Sequence, residues 1–503
     1  MRSSLTNCNP LAMKRFIGLL GMVLCLAHGH AQNINSKQAK KQLEEFKKSI
    51  HAEFEDFRNQ CMKEFADFVS APWKEFEETP PVPMPKEKPA PPVVLPEEDK
   101  DKSIESKPIV IKDVIKPVPV TPQPTPIEPI KEVPIAEDKY INFTFYGTAA
   151  KIRFDVSKKP NLRSVDENIV ADALKNIKSG DYDNMLVDCL QLRKTLYLSD
   201  WAYLQMLKKL SAEIAGNSHN DSALLLAYLY MQSGYKMRLA SDGQRIYMLY
   251  ASKHQIYNQA SYTVDNEQYY GVEKLPSRLF ICEASFPKEK ALSLMITTQQ
   301  CFEYVESPQR TIFSKKYPDF KATVSVNKNL IDFYNGYPSS MFGGNFMTRW
   351  AMYANTPIES NIQKTLYSQL KEKLKGLSQM EAVGRLLNLV QTGFDYEYDE
   401  KVWGEDRAFF SEETFYYPYC DCEDRSILLT RLVRDLLGLK CILVYYPGHL
   451  ASAIEFTAEN VQGDYVELNG HKYVIADGTY INAPIGKTMP GMDNSSAKVI
   501  LLD

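Results

Sequence analysis

Cysteine and histidine are sparse in this chain of 503 residues, with 9 and 7 respectively. That scarcity leaves zinc short of ligands. The one close pair, Cys420-x-Cys422, has only His449 as a plausible addition, whereas a closed structural site takes four ligands. No metal and no cofactor are expected. An excess of one charge is also missing, since 59 Lys and Arg face 63 Asp and Glu for a net charge of −4. A balanced chain has no electrostatic footprint for nucleic acid. Long apolar runs are absent beyond the stretch MKRFIGLLGMVLCLAHGHAQ, which starts at Met13. It carries Lys14-Arg15, an apolar run of about a dozen residues and a small residue at Ala31, the three parts of a secretory signal, and is too short to span a bilayer. Residues 1–12 read as an upstream extension. Leu24 before Cys25 is not the small residue that lipid attachment wants, so cleavage after Ala31 is expected, leaving no transmembrane helix. Export to the periplasm, cell envelope or medium follows, and it brings an oxidising compartment. Seven cysteines remain beyond Ala31, an odd number that leaves at least one free thiol.

Proline, by contrast, is abundant and clustered. Residues 79–136 (TPPVPMPKEKPAPPVV onward) interleave prolines with charged residues, Val and Ile. Proline removes backbone donors and favours an extended conformation, so this tract predicts a semi-rigid linker without a core. Before it, residues 34–78 carry Leu43, Phe46, Ile50, Phe54, Phe57, Cys61, Phe65 and Phe68 at spacings of three and four. That seam predicts an amphipathic, coiled-coil-like helix used for self-association. Residues 139–345 form a mixed region: a strand pair over 139–157, helices over 160–234, and a β-rich tract from Tyr235 to about Tyr337. Helices resume near 357, one of them opening on a capping box at Ser378 and Glu381. Segregated helices and mainly antiparallel strands indicate an α+β fold.

The chemistry-bearing residues fall at the end, over 355–490. In YCDCEDRSILLTRLVRDLLG, Ile427, Leu428, Leu432, Val433, Leu436 and Leu437 recur at helical spacing, Asp421 and Asp424 make a capping pattern, and Gly438 stands at the C′ position. Cys422 is then a first-turn residue, where free amides and the helix dipole favour a thiolate; Cys420 lies before the cap. CILVYYPGHLASAIEF reads as two strands about a Pro-Gly turn with His449 just beyond it, and Asp477 ends the strand of KYVIADGTY. A thiolate nucleophile, an imidazole shuttle and a carboxylate that fixes its tautomer are what acyl transfer from an amide requires. Backbone amides around Cys422 would supply part of an oxyanion site, with Gln391, Trp403 or Tyr416 as candidates for a second donor.

DCEDRSILLTRLVRDLLG, GHLASAIEF and ADGTYINAPIG, in that order, resemble the motifs of the transglutaminase-like (papain-like cysteine) superfamily, in its exported bacterial type. Leu450 and Gly478 depart from the residues usual after its histidine and aspartate. The resemblance implies a papain-like C-terminal domain with a Cys422–His449–Asp477 triad and a thioester intermediate. A protein or peptide substrate follows, and water is the default acceptor, so hydrolysis by a peptidase or amidase is favoured over transfer to an amine. The competing expectation is a non-catalytic envelope protein that uses the same module for binding.

Overall fold

In the computed structural model the described residues are 63–99, 104–127, 130, 139–179, 182–286 and 288–503, with Glu45 and Ser49 helical. The signal-like segment lies outside them, as does most of the proposed coiled-coil helix. None of the described helices is long and apolar enough to cross a membrane.

Local chemistry explains most of the elements. A hairpin pairs Tyr140–Phe145 with Thr148–Arg153, its Tyr146-Gly147 turn taking positive φ at both residues. Four helices follow, Glu167–Ser179, Tyr182–Thr195, Asp200–Ala215 and His219–Gln232, the last two capped by the hydroxyls of Ser199 and Ser218. An antiparallel six-stranded sheet comes next, in the order Lys74–Glu77, Arg278–Ile281, Met237–Ser241, Ile246–Ala251, Glu267–Gly271, Ser261–Val264. The predicted capping box is present: Ser378 and Glu381 open the helix Gln379–Thr392.

The C-terminal sheet also has six strands, ordered Tyr465–Leu468, His471–Ala476, His449–Glu455, Cys441–Tyr446, Lys498–Leu501, Asp113–Ile115. All its pairings are antiparallel except the last. The helix Cys422–Leu437 packs on one face, and one large core runs from its Ile427, Leu428 and Leu432 back to the helices of the middle region. The molecule is α+β, as the patterning indicated.

Two expectations are corrected. The Pro-rich tract is not a core-less spacer: it straps the body. Asn258 donates to the Val82 carbonyl, Val93–Val94 pairs in parallel with Tyr480–Ile481, and Asp113–Ile115 forms the edge of the C-terminal sheet. Leu95, Ile109, Ile115 and Val118 are buried. An extended chain with a proline at intervals still offers donors and side chains between them, and a sheet edge tolerates the missing N–H groups. The amphipathic helix does not run to 78 either. Helix ends at 69, Phe65 and Val69 enter the main core with Phe65 stacked on Phe286, and Lys74–Glu77 is a strand.

One buried carboxyl makes stability depend on pH. Glu412, in the short helix Ser411–Tyr416, accepts a hydrogen bond from the Glu359 amide at 2.7 Å. Burial, then the charges of Glu359 and Glu413, push it up from 4.5 to about 8. The folded chain therefore holds a proton that the unfolded chain releases. Its stabilising effect is complete below pH 4.5 and is lost as pH climbs through 8. The melting temperature should be higher at pH 5 than at pH 8.5, and Glu412→Gln should flatten part of that slope, since burial raises Asp399 to about 8 and Glu413 to about 7 in the same direction. An unchanged slope in the variant would rule this source out.

Candidate active site

Cys422 opens its helix as expected. The Asp421 carboxylate accepts from the Glu423 amide at 3.1 Å, Asp424 reciprocates by accepting from the Asp421 amide at 3.1 Å, and Gly438 ends the helix at φ 68°. The helix sits close against the strand that carries His449. Ser426 Oγ donates to the Leu450 carbonyl at 2.8 Å, and Ser452 Oγ donates to the Ser426 carbonyl at 3.2 Å. A serine on each surface permits that approach.

Tyr446 pairs with His449 across the Pro447-Gly448 turn, in which Gly448 has φ 75°. Proline followed by a positive-φ glycine is the signature of a type II turn. His449 is 2 % exposed, and its Nε2 donates to Asp477 Oδ2 at 2.8 Å. The other carboxylate oxygen, Oδ1, accepts from the amides of Thr479 and Tyr480 at 2.8 and 3.2 Å. Asp477 is thus held on both sides, and its carboxylate keeps the proton on Nε2. Nδ1, buried and without a hydrogen-bond partner, is the nitrogen left to act as a base.

Cys422 and His449 line one cavity of about 900 Å³. The thiol and Nδ1 are not hydrogen-bonded to each other; the Leu450 amide is the backbone donor that favours the thiolate. The expected pull of the helix start toward a thiolate is overridden. Burial, then the charges of Asp421 and Glu423, hold the Cys422 thiol well above its usual range, so it is neutral in this form. Cys420 lies elsewhere, its Sγ turned to the Asp395 carbonyl at 3.7 Å, and it does not line the cavity. The six described cysteines are free thiols.

None of the three residues named for a second oxyanion donor lines the cavity. Gln391 donates its amide to the carbonyls of Asp477, Tyr480 and Ala483, which braces the loop behind the aspartate. Trp403 carries the Arg407 guanidinium over its ring at 4.2 Å, and Tyr416 packs on Tyr417. Sequence reasoning missed Tyr396. It does not line the cavity either, but burial first and the nearby Cys422 second hold its phenol well above its usual range, so its hydroxyl stays a donor in the neighbourhood of the thiol. Arg425 was missed too. It is fully buried, donates to the Gly478 carbonyl at 3.2 Å and the Phe394 carbonyl at 2.8 Å, and locks the Cys422 helix to the Asp477 loop. A Cβ on Gly478 would come within 3.1 Å of the Arg425 Cβ, so any larger residue there requires the Arg425 stem to give way.

Asp399, Asp421 and Glu423 bring carboxylate oxygens within 4.8 Å of one another on the cavity wall, and among the described residues this is the one such group that could hold a cation. Each already has protein donors: the Arg407 amide for Asp399 at 2.7 Å, the Glu423 amide for Asp421, and the Trp350 indole for Glu423 at 2.9 Å. Burial, then the Glu423 charge, push Asp399 up to about 8. Burial and the neighbouring acids raise all three carboxyls, which form an acidic wall. No family model matches this chain and no curated protein matches it, so the chemistry of the site rests on its own residues.

Proposed function

We propose that this chain is an exported, cysteine-dependent acyl-transfer enzyme of transglutaminase-like, papain-like type, acting on amide or peptide bonds. Cys422 is the nucleophile, His449 the base and then the acid, and Asp477 the group that orients the imidazole. The observation that carries the proposal is the buried His449–Asp477 pair, which leaves Nδ1 unpartnered in the same cavity as a helix-opening thiol. In the reaction Nδ1 takes the thiol proton, and sulfur attacks the carbonyl carbon. The proton then passes to the leaving amine as the C–N bond breaks. Water hydrolyses the thioester with His449 as base and regenerates the thiol. The Tyr396 hydroxyl and backbone amides at the helix start are the donors available for the oxyanion. Hydrolysis is preferred over amine transfer because water is the default acceptor. Export rests on the signal-like segment after Met13.

A non-catalytic binding module is the second reading, and the neutral, buried thiol speaks for it. A small activated ester separates the two. The enzyme should gain one hydroxylamine-labile acyl group on Cys422, found by intact mass and peptide mapping, and His449→Ala should slow that gain sharply. Acylation with equal rates in wild type and His449→Ala, or none at Cys422, would favour the binding module.

A further inference from the structure

The Pro-rich strap lies along the candidate site. Residues from Pro83 to Pro91 line one side of the cavity that holds Cys422 and His449. They grip the turn immediately before the histidine. The Ala90 amide donates to the Gly448 carbonyl at 2.8 Å, and the Gly448 amide donates to Glu87 Oε2 at 3.1 Å. The Tyr445 hydroxyl donates to Glu87 Oε1 at 2.5 Å. The Lys88 carbonyl lies so near Gly448 that a Cβ there would come within 2.4 Å of it. The Tyr396 hydroxyl, the donor in the neighbourhood of the thiol, is directed at the Ala90 carbonyl at 3.4 Å. A carbonyl of the strap thus engages a group that a substrate carbonyl would need.

This grip is narrow. Met84 and Leu95 are buried and anchor the two ends, whereas no residue from Pro85 to Val94 is buried. Pro85, Pro89, Pro91 and Pro92 have no amide to donate. Such a span can lift from the cleft while both anchors and the core stay in place. In the closed form Cys422 is 5 % exposed.

We propose that residues 85–91 are a cis-acting occupant of a peptide groove. They close the Cys422 cleft at rest and leave it to an extended peptide that pairs with Gly448 and offers a carbonyl to Tyr396. The proposal rests on the acyl-transfer reading for its purpose. The geometry of closure does not need that reading, and neither does its test. The neutral state of the buried thiol accords with a resting form.

Glu87→Ala removes the carboxylate clamp. Ala90→Pro deletes the amide donated to Gly448 while keeping the extended backbone that its proline neighbours already adopt. In the full chain, with Cys8, Cys25, Cys61 and the exposed Cys301 replaced by Ser, Cys422 is alkylated with iodoacetamide and, separately, with a maleimide carrying a large polyethylene glycol. The double variant should react with the bulky reagent about tenfold faster than wild type, the shift expected from one or two lost hydrogen bonds. The small reagent should gain less, and the melting temperature should change little. Equal bulky-reagent rates in wild type and double variant would overturn the proposal, as would a thiol that stays unreactive to both reagents after the double substitution. Alkylation needs no turnover, and the ratio of bulky-reagent to small-reagent rates cancels whatever His449 contributes to the thiolate, so failure of the strap and failure of the triad separate. Adding His449→Ala to the released variant reports on the triad alone.

Discussion

Cys422→Ala is expected to lower amide or ester turnover by at least about a thousandfold, while Cys420→Ala retains most of it. The two thiols are two residues apart, but the fold gives them different neighbours. Cys422 opens the helix, lines the cavity with His449, and has the Leu450 amide as the donor that favours its thiolate. Cys420 sits in the short parallel pair of Asp395–Tyr396 with Tyr419–Cys420, its sulfur directed at the Asp395 carbonyl. Its loss removes a weak hydrogen bond and a small buried volume, an effect on stability of about 1 kcal/mol. The measurement is kcat/KM on one amide substrate for wild type and both variants, beside their unfolding curves. Wild-type turnover by Cys422→Ala would end the proposal. Turnover lost only in Cys420→Ala would transfer the role to the other thiol and leave the helix-start argument without an object.

The parts of the site that could be read from sequence were those set by local chemistry. Asp421, Asp424 and Gly438 bound the Cys422 helix because capping and the left-handed C′ position are decided within a few residues. Pro447-Gly448 marked the turn before His449 for the same reason. The strap was not legible. A proline-interleaved extended chain has the same composition whether it floats or lies along a sheet edge, and its partners at Gly448, Tyr480 and Lys498 are hundreds of residues away. Gln391 looked like an oxyanion donor until its amide was found spent on three carbonyls.

The thiol shows how a correct local reading can be outweighed. A helix start does favour the thiolate, but Asp421 and Glu423 flank Cys422 in the sequence itself, and burial gives their charges force. The clue was present, and only the depth of the site determined its weight. Glu87, far away in the chain, gave no signal, since nothing near it suggests that its carboxylate would cap the Gly448 amide.

Asp477→Asn is expected to keep the fold and reduce kcat by about 10²–10⁴-fold with little change in KM. The fold survives because the amide oxygen can still accept from Thr479 and Tyr480, the two backbone donors that hold the loop. Catalysis fails because the group facing His449 Nε2 at 2.8 Å becomes an N–H donor. Nε2 must then accept, which moves the ring proton to Nδ1. That nitrogen is the one left unpartnered beside the cavity, so the base is lost in its neutral form. The imidazolium formed during attack also loses its carboxylate, and the two effects act on the same step. Asp477→Ala is the informative contrast: it strips both backbone amides of their acceptor, so it should lower the melting temperature as well as the rate. Nitrogen NMR of the His449 ring distinguishes the tautomers directly. A ring still protonated at Nε2 in Asp477→Asn, with turnover at the wild-type rate, would show that the carboxylate does not set the histidine's role.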